Sequence, residues 1–229
     1  MHQHHTDLQH ARALLHSAEA VLFDFNGTLS LDEDLLESCY DQALHHLGLP
    51  GLEHEEYSAL LGLSDYEISH HLLAHRLEGR LTALHKSRLL DALCSLYLSA
   101  VSAHSRIPQE HRALVQDLTS AGIICAVVTG SLRQLVEPAL QDAGIFHLLT
   151  GIITSEDVRE GKPSPEGFLL ARERFAPEAE TIVVCEDSPA GVEAGRRAGM
   201  TVLSVHPGLN GADFTAPSLG TLQSCLREQ

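Results

Sequence analysis

The sequence is poor in positive charge and contains no long hydrophobic run. Lysine and arginine together number 15 against 31 acidic residues, which gives the 229-residue chain a formal net charge of −16 at pH 7. This imbalance disfavours nucleic acid or an anionic membrane as a partner, because both would be repelled. No stretch approaches the roughly 20 apolar residues of a membrane-spanning helix. The amino-terminal MHQHHTDLQH lacks the basic start and apolar core of a signal peptide.

Closely spaced cysteines are also absent. The five cysteines are scattered and form no C-x-x-C pair; they are Cys39, Cys94, Cys125, Cys185 and Cys225. An odd number without close spacing indicates reduced thiols and argues against a disulfide framework or a zinc ribbon. We therefore expect a cytoplasmic protein, and the sequence leaves open whether it is a monomer or a homodimer.

The sequence does contain a repeated alternation of short apolar runs with segments of helical periodicity. The apolar runs cover residues 20–23, 123–129, 148–154, 181–185 and 201–205. Five buried strands that alternate with helices predict an α/β fold built on a doubly wound parallel sheet.

A long segment without strand signals follows the first of these runs. Between residues 31 and 106, Leu, His, Glu and Ala recur at helical spacing and predict four helices. A helical block at this point indicates an inserted cap. We therefore assign residues 1–29 and 107–229 to an α/β core domain and residues 30–106 to a helical cap domain.

Polar residues follow the first strand at the point where it ends. The segment from Val21 to Ser30 reads VLFDFNGTLS, so the apolar run stops at Asp24 and continues into Asn26 and Gly27. Ligands of parallel α/β sheets bind beyond the carboxyl ends of the strands. Asp24 is therefore predicted to lie where a nucleophile or a metal ligand would be, and Gly27 lets the backbone approach a ligand closely.

The second and third strands are also followed by residues that suit an anion. Thr129, Gly130 and Ser131 end the second strand and open a helix, an arrangement typical of phosphate sites. Lys162 comes after the third strand and is one of only two lysines in the chain. Its charge can screen both a carboxylate and a phosphate.

Two acids, Glu186 and Asp187, follow the fourth strand. Beside Asp24 they would repel one another unless a cation lay between them. Carboxylate oxygens are ligands that Mg²⁺ prefers. The sequence therefore predicts a magnesium site at this edge of the sheet.

Together these segments resemble the haloacid dehalogenase (HAD) superfamily, specifically its β-phosphoglucomutase and phosphatase-like subfamily with a helical cap. VLFDFNGTL resembles the first motif of the family, D-x-D-G-T, and VVTGS resembles the second. GKPSPEGF resembles the third motif and CEDSPAGVEAGRRAGM the fourth. The resemblance covers about residues 20–206 and implies a Rossmann-like three-layer core with an inserted α-helical cap.

The resemblance also implies a mechanism and a set of site residues. The protein would be a Mg²⁺-dependent phosphatase that hydrolyses a small phosphorylated metabolite through an aspartyl phosphate formed on Asp24. The phosphoryl oxygens would be held by Thr129, Gly130, Ser131 and Lys162. The metal would be bound by Asp24, Glu186, Asp187 and the backbone carbonyl of Asn26.

The chain departs from the family pattern at Asn26, where the family has an aspartate that protonates the leaving oxygen and activates water. An amide can do neither at neutral pH. General acid–base catalysis is worth about 10²–10⁴-fold, so ordinary monoester hydrolysis is expected to be slow. Four explanations stay open: a substrate with a good leaving group, another residue such as a cap histidine in place of the acid, a weak or inactive relative that binds a phosphorylated ligand, or an engineered change at Asn26.

The cap segment GLSDYEIS, residues 62–69, resembles the loop with which the family reads its substrate. Asp65 and Tyr66 in this loop favour a hydroxylated or cationic leaving group, and the acid disfavours a bisphosphate by repulsion. A phosphonate-cleaving hydrolase remains an alternative. Such relatives also lack the second aspartate and use a cap lysine, for which Lys86 is the only candidate.

Overall fold

A six-stranded parallel sheet forms the centre of the molecule. The computed structural model describes residues 10–11, 13–15, 17–206 and 208–227. The strands are β1 Ala20–Phe23, β2 Ile124–Val128, β3 Gly151–Ile153, β4 Ile182–Glu186, β5 Thr201–Ser204 and β6 Phe214–Thr215. They lie in the order β3-β2-β1-β4-β5-β6, and every neighbouring pair is parallel. The predicted α/β fold with a parallel sheet is confirmed.

Two strands differ from the prediction. β3 is shorter than the predicted 148–154, because Phe146–Leu148 forms a turn of 3₁₀ helix before the strand begins. β6 has no counterpart among the five predicted strands. It consists of two half-buried residues, Phe214 and Thr215, that pair with β5, and a strand of this length has no readable alternation.

Four helices lie between residues 30 and 106, as predicted for the cap segment. They are α1 Glu33–His46, α2 His54–Ser58, α3 Asp65–Leu77 and α4 Ala83–Ala103. A capping box fixes the start of α3, since Ser64 and Glu67 each accept a hydrogen bond from the other's backbone N–H. The buried side chains of these helices join those of one sheet face in a continuous apolar cluster. The domain boundaries at residues 30 and 106 stay a prediction.

Helices cover both faces of the sheet and produce three layers. The remaining helices are α5 Gln109–Ser120, α6 Arg133–Asp142, α7 Glu166–Phe175, α8 Pro189–Arg197 and α9 Leu219–Arg227. Side chains of a strand alternate between the two faces. Val21 and Phe23 of β1 therefore pack on the side of α5 and α6, whereas Ala20 and Leu22 pack on the side of α7 and α8. Burial on both faces explains the unbroken apolar run before Asp24.

The amino-terminal helix predicted over residues 1–19 is described in part. Residues 10, 11, 13–15 and 17 are helical, with Ala11 and Leu15 buried, and Leu8 lies outside the described residues. The four cysteines whose side chains are described are buried and unpaired. Among the described residues, none of the helices is both long and apolar enough to cross a bilayer. The cytoplasmic location stays a prediction.

Candidate active site

The carboxyl ends of β1, β2 and β4 lie side by side at one edge of the sheet. β1 pairs with β2 on one side and with β4 on the other, and Phe23 stands opposite both Val127 and Cys185. The residues at these three strand ends therefore share the edge where open parallel sheets bind ligands. They are Asp24 after β1, Thr129 to Ser131 after β2, and Glu186 with Asp187 at the end of β4.

Asp24 is held by a buried lysine. The Nζ of Lys162 donates hydrogen bonds to Asp24 Oδ1 and, at 2.5 Å, to Glu186 Oε1. The same Nζ lies 5.4 Å from the ring centre of Phe168 on α7. Burial lowers the pKa of Lys162, but the two carboxylates outweigh burial and raise it, so the side chain stays charged. Burial raises the pKa of Asp24, and the charge of Lys162 opposes this rise.

Glu186 is fixed by the amino terminus of α8. Its Oε2 accepts hydrogen bonds from the backbone N–H groups of Asp187 and Ser188, both at 2.9 Å, and from the Ser188 hydroxyl at 3.0 Å. The Ser188 hydroxyl oxygen also caps α8 by accepting from the N–H of Gly191 at 3.0 Å. A Cβ on Gly191 would lie 1.7 Å from Glu186 Oε1, so glycine leaves the room that the carboxylate occupies.

Three carboxylates converge beside Lys162. Asp24, Glu186 and Asp187 each offer an oxygen, and these atoms lie within 4.8 Å of one another. Burial, followed by the charge of Glu186, raises the pKa of Asp187 to about 6. Gly27, with a φ of 76°, passes so close that a Cβ would lie 2.1 Å from Asp187 Oδ2. A buried cluster of carboxylate oxygens fits a hard divalent cation such as Mg²⁺.

Both polar groups of the Asn26 side chain are occupied. Its Nδ2 donates to the two carboxylate oxygens of Asp32, each at 3.1 Å, and its Oδ1 accepts from the Ser131 hydroxyl at 2.6 Å. Asp32 is 0% exposed and also accepts at Oδ2 from the hydroxyls of Ser30, at 2.8 Å, and Tyr97. Burial raises the pKa of Asp32. This network fixes the amide with its NH₂ group toward an acid.

The loop after β2 contacts the first turn of α3. The Gly130 carbonyl accepts a hydrogen bond from the Asp65 N–H at 3.1 Å. A Cβ on Gly130 would lie 3.1 Å from Ser64 Cα, so the two backbones approach closely. Thr129 Oγ1 accepts from the Ser131 N–H at 3.0 Å. The residues predicted to bind phosphate therefore lie where the cap helix meets the sheet edge.

The two cap residues predicted to read the substrate have different surroundings. Asp65 is buried; its Oδ1 accepts from the Tyr40 hydroxyl at 2.6 Å and its Oδ2 from the Leu132 N–H at 2.9 Å. Burial raises the pKa of Asp65 to about 6. Tyr66 is 44% exposed. Asp65 thus links α3 to the start of α6, and a role for either residue in substrate choice stays a prediction.

Two cavities open at this edge of the sheet. The first, which we call the Asp24 cavity, has a volume of about 480 Å³. The second, the Tyr66 cavity, has a volume of about 830 Å³ and extends toward Arg159 and Arg197. Lys162 and Thr129 border both cavities. The polar side chains that line the Asp24 cavity include Asp24, Asn26, Glu33, Tyr57, Asp65, Thr129, Ser131, Lys162, Asp187 and His206.

Three of the residues at or behind this site are missed by sequence reasoning: Asp32, Glu33 and Tyr57. The two acids belong to a run at the start of α1, which by itself indicates only the beginning of a helix. Asp32, however, makes no capping hydrogen bond and turns toward Asn26 instead. The sequence does contain one signal for Asp32. Asn26 is an amide where the family has an acid, and Asp32 is an acid six residues later.

Comparisons with known proteins agree with this geometry. The model of the haloacid dehalogenase-like hydrolases matches residues 21–205. The chain is 28% identical over 190 residues to validoxylamine A 7'-phosphate phosphatase from Streptomyces hygroscopicus subsp. limoneus, covering 80% of this chain and 83% of that protein. It is 30% identical over 205 residues to hexitol phosphatase A from Escherichia coli, covering 86% and 90%. The crystal structure of CbbY from Rhodobacter sphaeroides in complex with phosphate is similar with a TM-score of 0.77 at 27% identity, covering 89% of this chain and 95% of that one.

Proposed function

Because this chain belongs to the haloacid dehalogenase-like hydrolases, we propose that it is a phosphoric monoester hydrolase acting on a small phosphorylated metabolite. The observation that carries the proposal is the buried contact between Lys162 and Asp24 beside the Asp24 cavity. Burial alone would protonate a carboxylate, whereas the adjacent ammonium favours the ionised form that attacks phosphorus. The two phosphatases named above support the same class of reaction.

In the proposed reaction an oxygen of Asp24 attacks phosphorus as the bond to the leaving oxygen breaks, which gives an aspartyl phosphate. Water then attacks the same phosphorus and releases inorganic phosphate. The phosphoryl oxygens would be held by Lys162 and by the loop after β2, that is Thr129, Gly130 and Ser131. Charge neutralisation and alignment of this kind supply most of the catalysis in phosphoryl transfer.

Asp24, Glu186, Asp187 and the backbone carbonyl of Asn26 would hold Mg²⁺. The carboxylate oxygens are close enough to share one ion. When bound, the ion supplies positive charge that offsets the acids and the phosphoryl group. Lys162 alone cannot do this, since it brings one positive charge to three carboxylates.

The charge of the Asp24 cavity favours a substrate whose leaving group is neutral or cationic. Among the described residues that line it, Lys162 is the only lysine or arginine, whereas Glu33 and Asp65 add carboxyl groups from the cap segment. A second phosphate or a carboxylate on the substrate would be repelled by Asp65 and would meet no basic side chain other than Lys162 among the described lysines and arginines of the lining. Polyol and amino-polyol monophosphates meet this requirement, and the names of the two relatives specify a hexitol and a validoxylamine phosphate.

A panel of phosphate esters and one acyl phosphate tests the proposal. Phosphate release would be measured with Mg²⁺ for a hexitol phosphate, an amino-sugar phosphate, phosphoglycolate and acetyl phosphate. We expect the polyol esters to be preferred and turnover to fall by about 10³-fold or more in Asp24→Ala. Asp142→Ala, at an exposed position on α6, is the matched control and should keep full activity. Turnover that survives in Asp24→Ala would exclude Asp24 as the nucleophile. Preference for phosphoglycolate would exclude polyol monophosphates as the substrate class.

Asn26 favours a second candidate function, that of a phospho-ligand-binding protein with little turnover. Its amide cannot exchange a proton at neutral pH, and its hydrogen bonds to Asp32 and Ser131 occupy both polar groups. Calorimetric titration with inorganic phosphate and Mg²⁺ separates the two candidates. Tight binding without hydrolysis of any phosphate ester or of acetyl phosphate would favour the binding protein.

A phosphonate-cleaving hydrolase has less support. That chemistry needs a lysine amine next to the substrate carbonyl to form a Schiff base. Lys86 lies in α4 and is absent from the described lining of both cavities. Borohydride reduction in the presence of a phosphonoaldehyde should therefore leave no adduct on Lys86.

A further inference from the structure

Glu33 is the carboxyl group of the Asp24 cavity with the longest, and therefore weakest, hydrogen bond. It is the first residue of α1, is half-buried and lines the cavity together with Asp24 and Asp187. Among the described residues its one hydrogen-bond partner is the Tyr57 hydroxyl, which donates to Glu33 Oε2 at 3.3 Å. The other carboxyl groups that line the cavity are engaged more firmly, Asp24 by Lys162 and Asp187 by Thr28.

We propose that Glu33 is the acid–base residue of this enzyme, doing from the start of α1 what Asn26 cannot do from the loop after β1. This inference rests on the proposed phosphatase function. Glu33 faces the cavity in which the leaving group of a substrate attached to Asp24 would lie.

The other acidic side chains near Asn26 fit this role less well. Asp32 accepts hydrogen bonds from three side chains, is fully buried and is absent from the described lining of both cavities. Asp65 is held between the Tyr40 hydroxyl and the Leu132 N–H. Glu33 keeps one carboxylate oxygen, Oε1, without a described partner.

The surroundings of Glu33 suit proton exchange near neutral pH. Burial, followed by the negative charges of Asp32 and Asp187, raises the pKa of Glu33 to about 7. An acid–base group works best when its pKa lies close to the working pH. The titratable groups that face it are Tyr57, Asp32, Asp65 and Asp187, and Lys162 and His206 line the same cavity.

The proton balance closes over the two steps. In the first, Asp24 attacks phosphorus, the bond from phosphorus to the substrate oxygen breaks, and the Glu33 proton passes to that oxygen to give an alcohol. In the second, the Glu33 carboxylate takes a proton from water as the water oxygen attacks phosphorus. The bond from phosphorus to Asp24 then breaks, phosphate leaves, and Glu33 is neutral again.

Glu33→Gln, compared on two kinds of ester, tests the inference. A hexitol phosphate has a leaving oxygen that needs a proton, whereas p-nitrophenyl phosphate has one that does not. For the hexitol ester we expect kcat/KM to fall by about 10²–10⁴-fold. For p-nitrophenyl phosphate we expect a rapid burst of nitrophenolate to remain while steady turnover slows, because the second step has lost its base.

The pH profile provides a readout that a structural role would not move. In the unaltered protein kcat/KM for the hexitol ester should fall as pH rises through about 7, since the acid must be protonated. That alkaline limb should disappear in Glu33→Gln. Glu37→Gln is the matched control: it lies one turn further along α1, bonds His54 at 3.0 Å, and should change neither rate nor profile.

The outcomes separate the two proposals. Unchanged kcat/KM for the hexitol ester in Glu33→Gln, or an alkaline limb that persists, would overturn the role of Glu33 while leaving the phosphatase intact. If Glu33→Gln unfolds, Glu33→Ala, which also removes the carboxyl group, takes its place, and an unchanged rate and profile there would overturn the role equally. Failure of the unaltered protein to release nitrophenolate would overturn the phosphatase function itself, and the role of Glu33 with it.

Discussion

Replacing Asn26 by aspartate is the direct way to restore the missing acid, and the structure predicts that this single change is costly. The new carboxylate would replace an NH₂ group that lies 3.1 Å from both oxygens of Asp32. At an effective dielectric constant of about 20, two unit charges at that separation repel by about 5 kcal/mol. A shared proton limits the cost, so we expect Asn26→Asp to lower the free energy of unfolding by about 3 kcal/mol at pH 8 and by less at pH 6.

Exchanging the amide and the acid should remove this cost. In Asn26→Asp combined with Asp32→Asn, the new amide nitrogen at position 32 takes the place of Asp32 Oδ1 and donates to the new carboxylate. The amide oxygen takes the place of Oδ2, which already accepts from both Ser30 and Tyr97. The Ser131 hydroxyl still donates to position 26. We therefore expect the free energy of unfolding of the double variant to lie within about 1 kcal/mol of that of the unaltered protein.

Urea unfolding of the four proteins at pH 6 and pH 8 measures this coupling. The double-mutant cycle should give an interaction energy of about 2–3 kcal/mol at pH 8. A single Asn26→Asp variant as stable as the unaltered protein at pH 8 would refute the reasoning. So would a double variant no more stable than that single one, since the acid at position 32 would then not be the cause.

The exchange also tests the role of Glu33. With a carboxylate at position 26, the double variant has an acid–base group at the family's usual place. Glu33→Gln should then cost the double variant much less in kcat/KM than it costs the unaltered protein. Equal losses in the two backgrounds would mean that position 26 remains unable to exchange a proton.

Three further predictions concern charge and space at the site. Lys162→Met should lower activity by about 10²–10³-fold and the free energy of unfolding by about 3–5 kcal/mol; Lys86→Met is the control, and equal effects would refute the pairing with the site acids. Gly27→Ala should weaken Mg²⁺ binding by about 10-fold or more in a calorimetric titration, because its Cβ would strike Asp187. Gly48 has a similar φ of 71° but open space around it, so Gly48→Ala should lower stability through backbone strain without weakening Mg²⁺ binding. Equal Mg²⁺ affinities of the Gly27→Ala and Gly48→Ala variants would contradict the predicted clash with Asp187. Finally, raised pKa values of buried acids mean that the folded state holds protons more tightly than the unfolded state. The unfolding temperature without metal should therefore fall as pH rises from about 4 to 7, and Mg²⁺ should reverse the fall; an unfolding temperature independent of pH would exclude this linkage.

The sequence is informative about the sheet edge because strand ends combine two strong signals. An unbroken apolar run can only be satisfied by burial on both faces, and a charged residue directly after it must lie at the rim. Asp24, Glu186 and Asp187 each follow such a run, and the parallel register brings them together. Lys162 is recognisable for a further reason, its rarity, since the chain has only one other lysine.

The directions of side chains in the cap segment are not readable in this way. Three consecutive acids, residues 32–34, look alike in the sequence as the start of a helix. In the structure Asp32 turns inward to Asn26, Glu33 faces the Asp24 cavity, and Asp34 pairs with Arg106 at 3.2 Å. These differences depend on how α1 packs over the loop after β1, a tertiary contact with no local pattern. Asp65 shows the same limit, because its partners Tyr40 and Leu132 are distant in sequence.

The charge balance of the site shows that the proposed metal binding and the proposed proton transfer depend on different groups. Lys162 offsets one of the three carboxylates contributed by Asp24, Glu186 and Asp187, so two negative charges face any incoming phosphate. A divalent cation held by the same oxygens would cancel that excess, and Asn26 would contribute to it only through a backbone carbonyl. The change of side chain at position 26 therefore leaves the proposed metal ligands intact. Its consequence is confined to proton transfer, and a carboxyl group elsewhere in the cavity can supply that step.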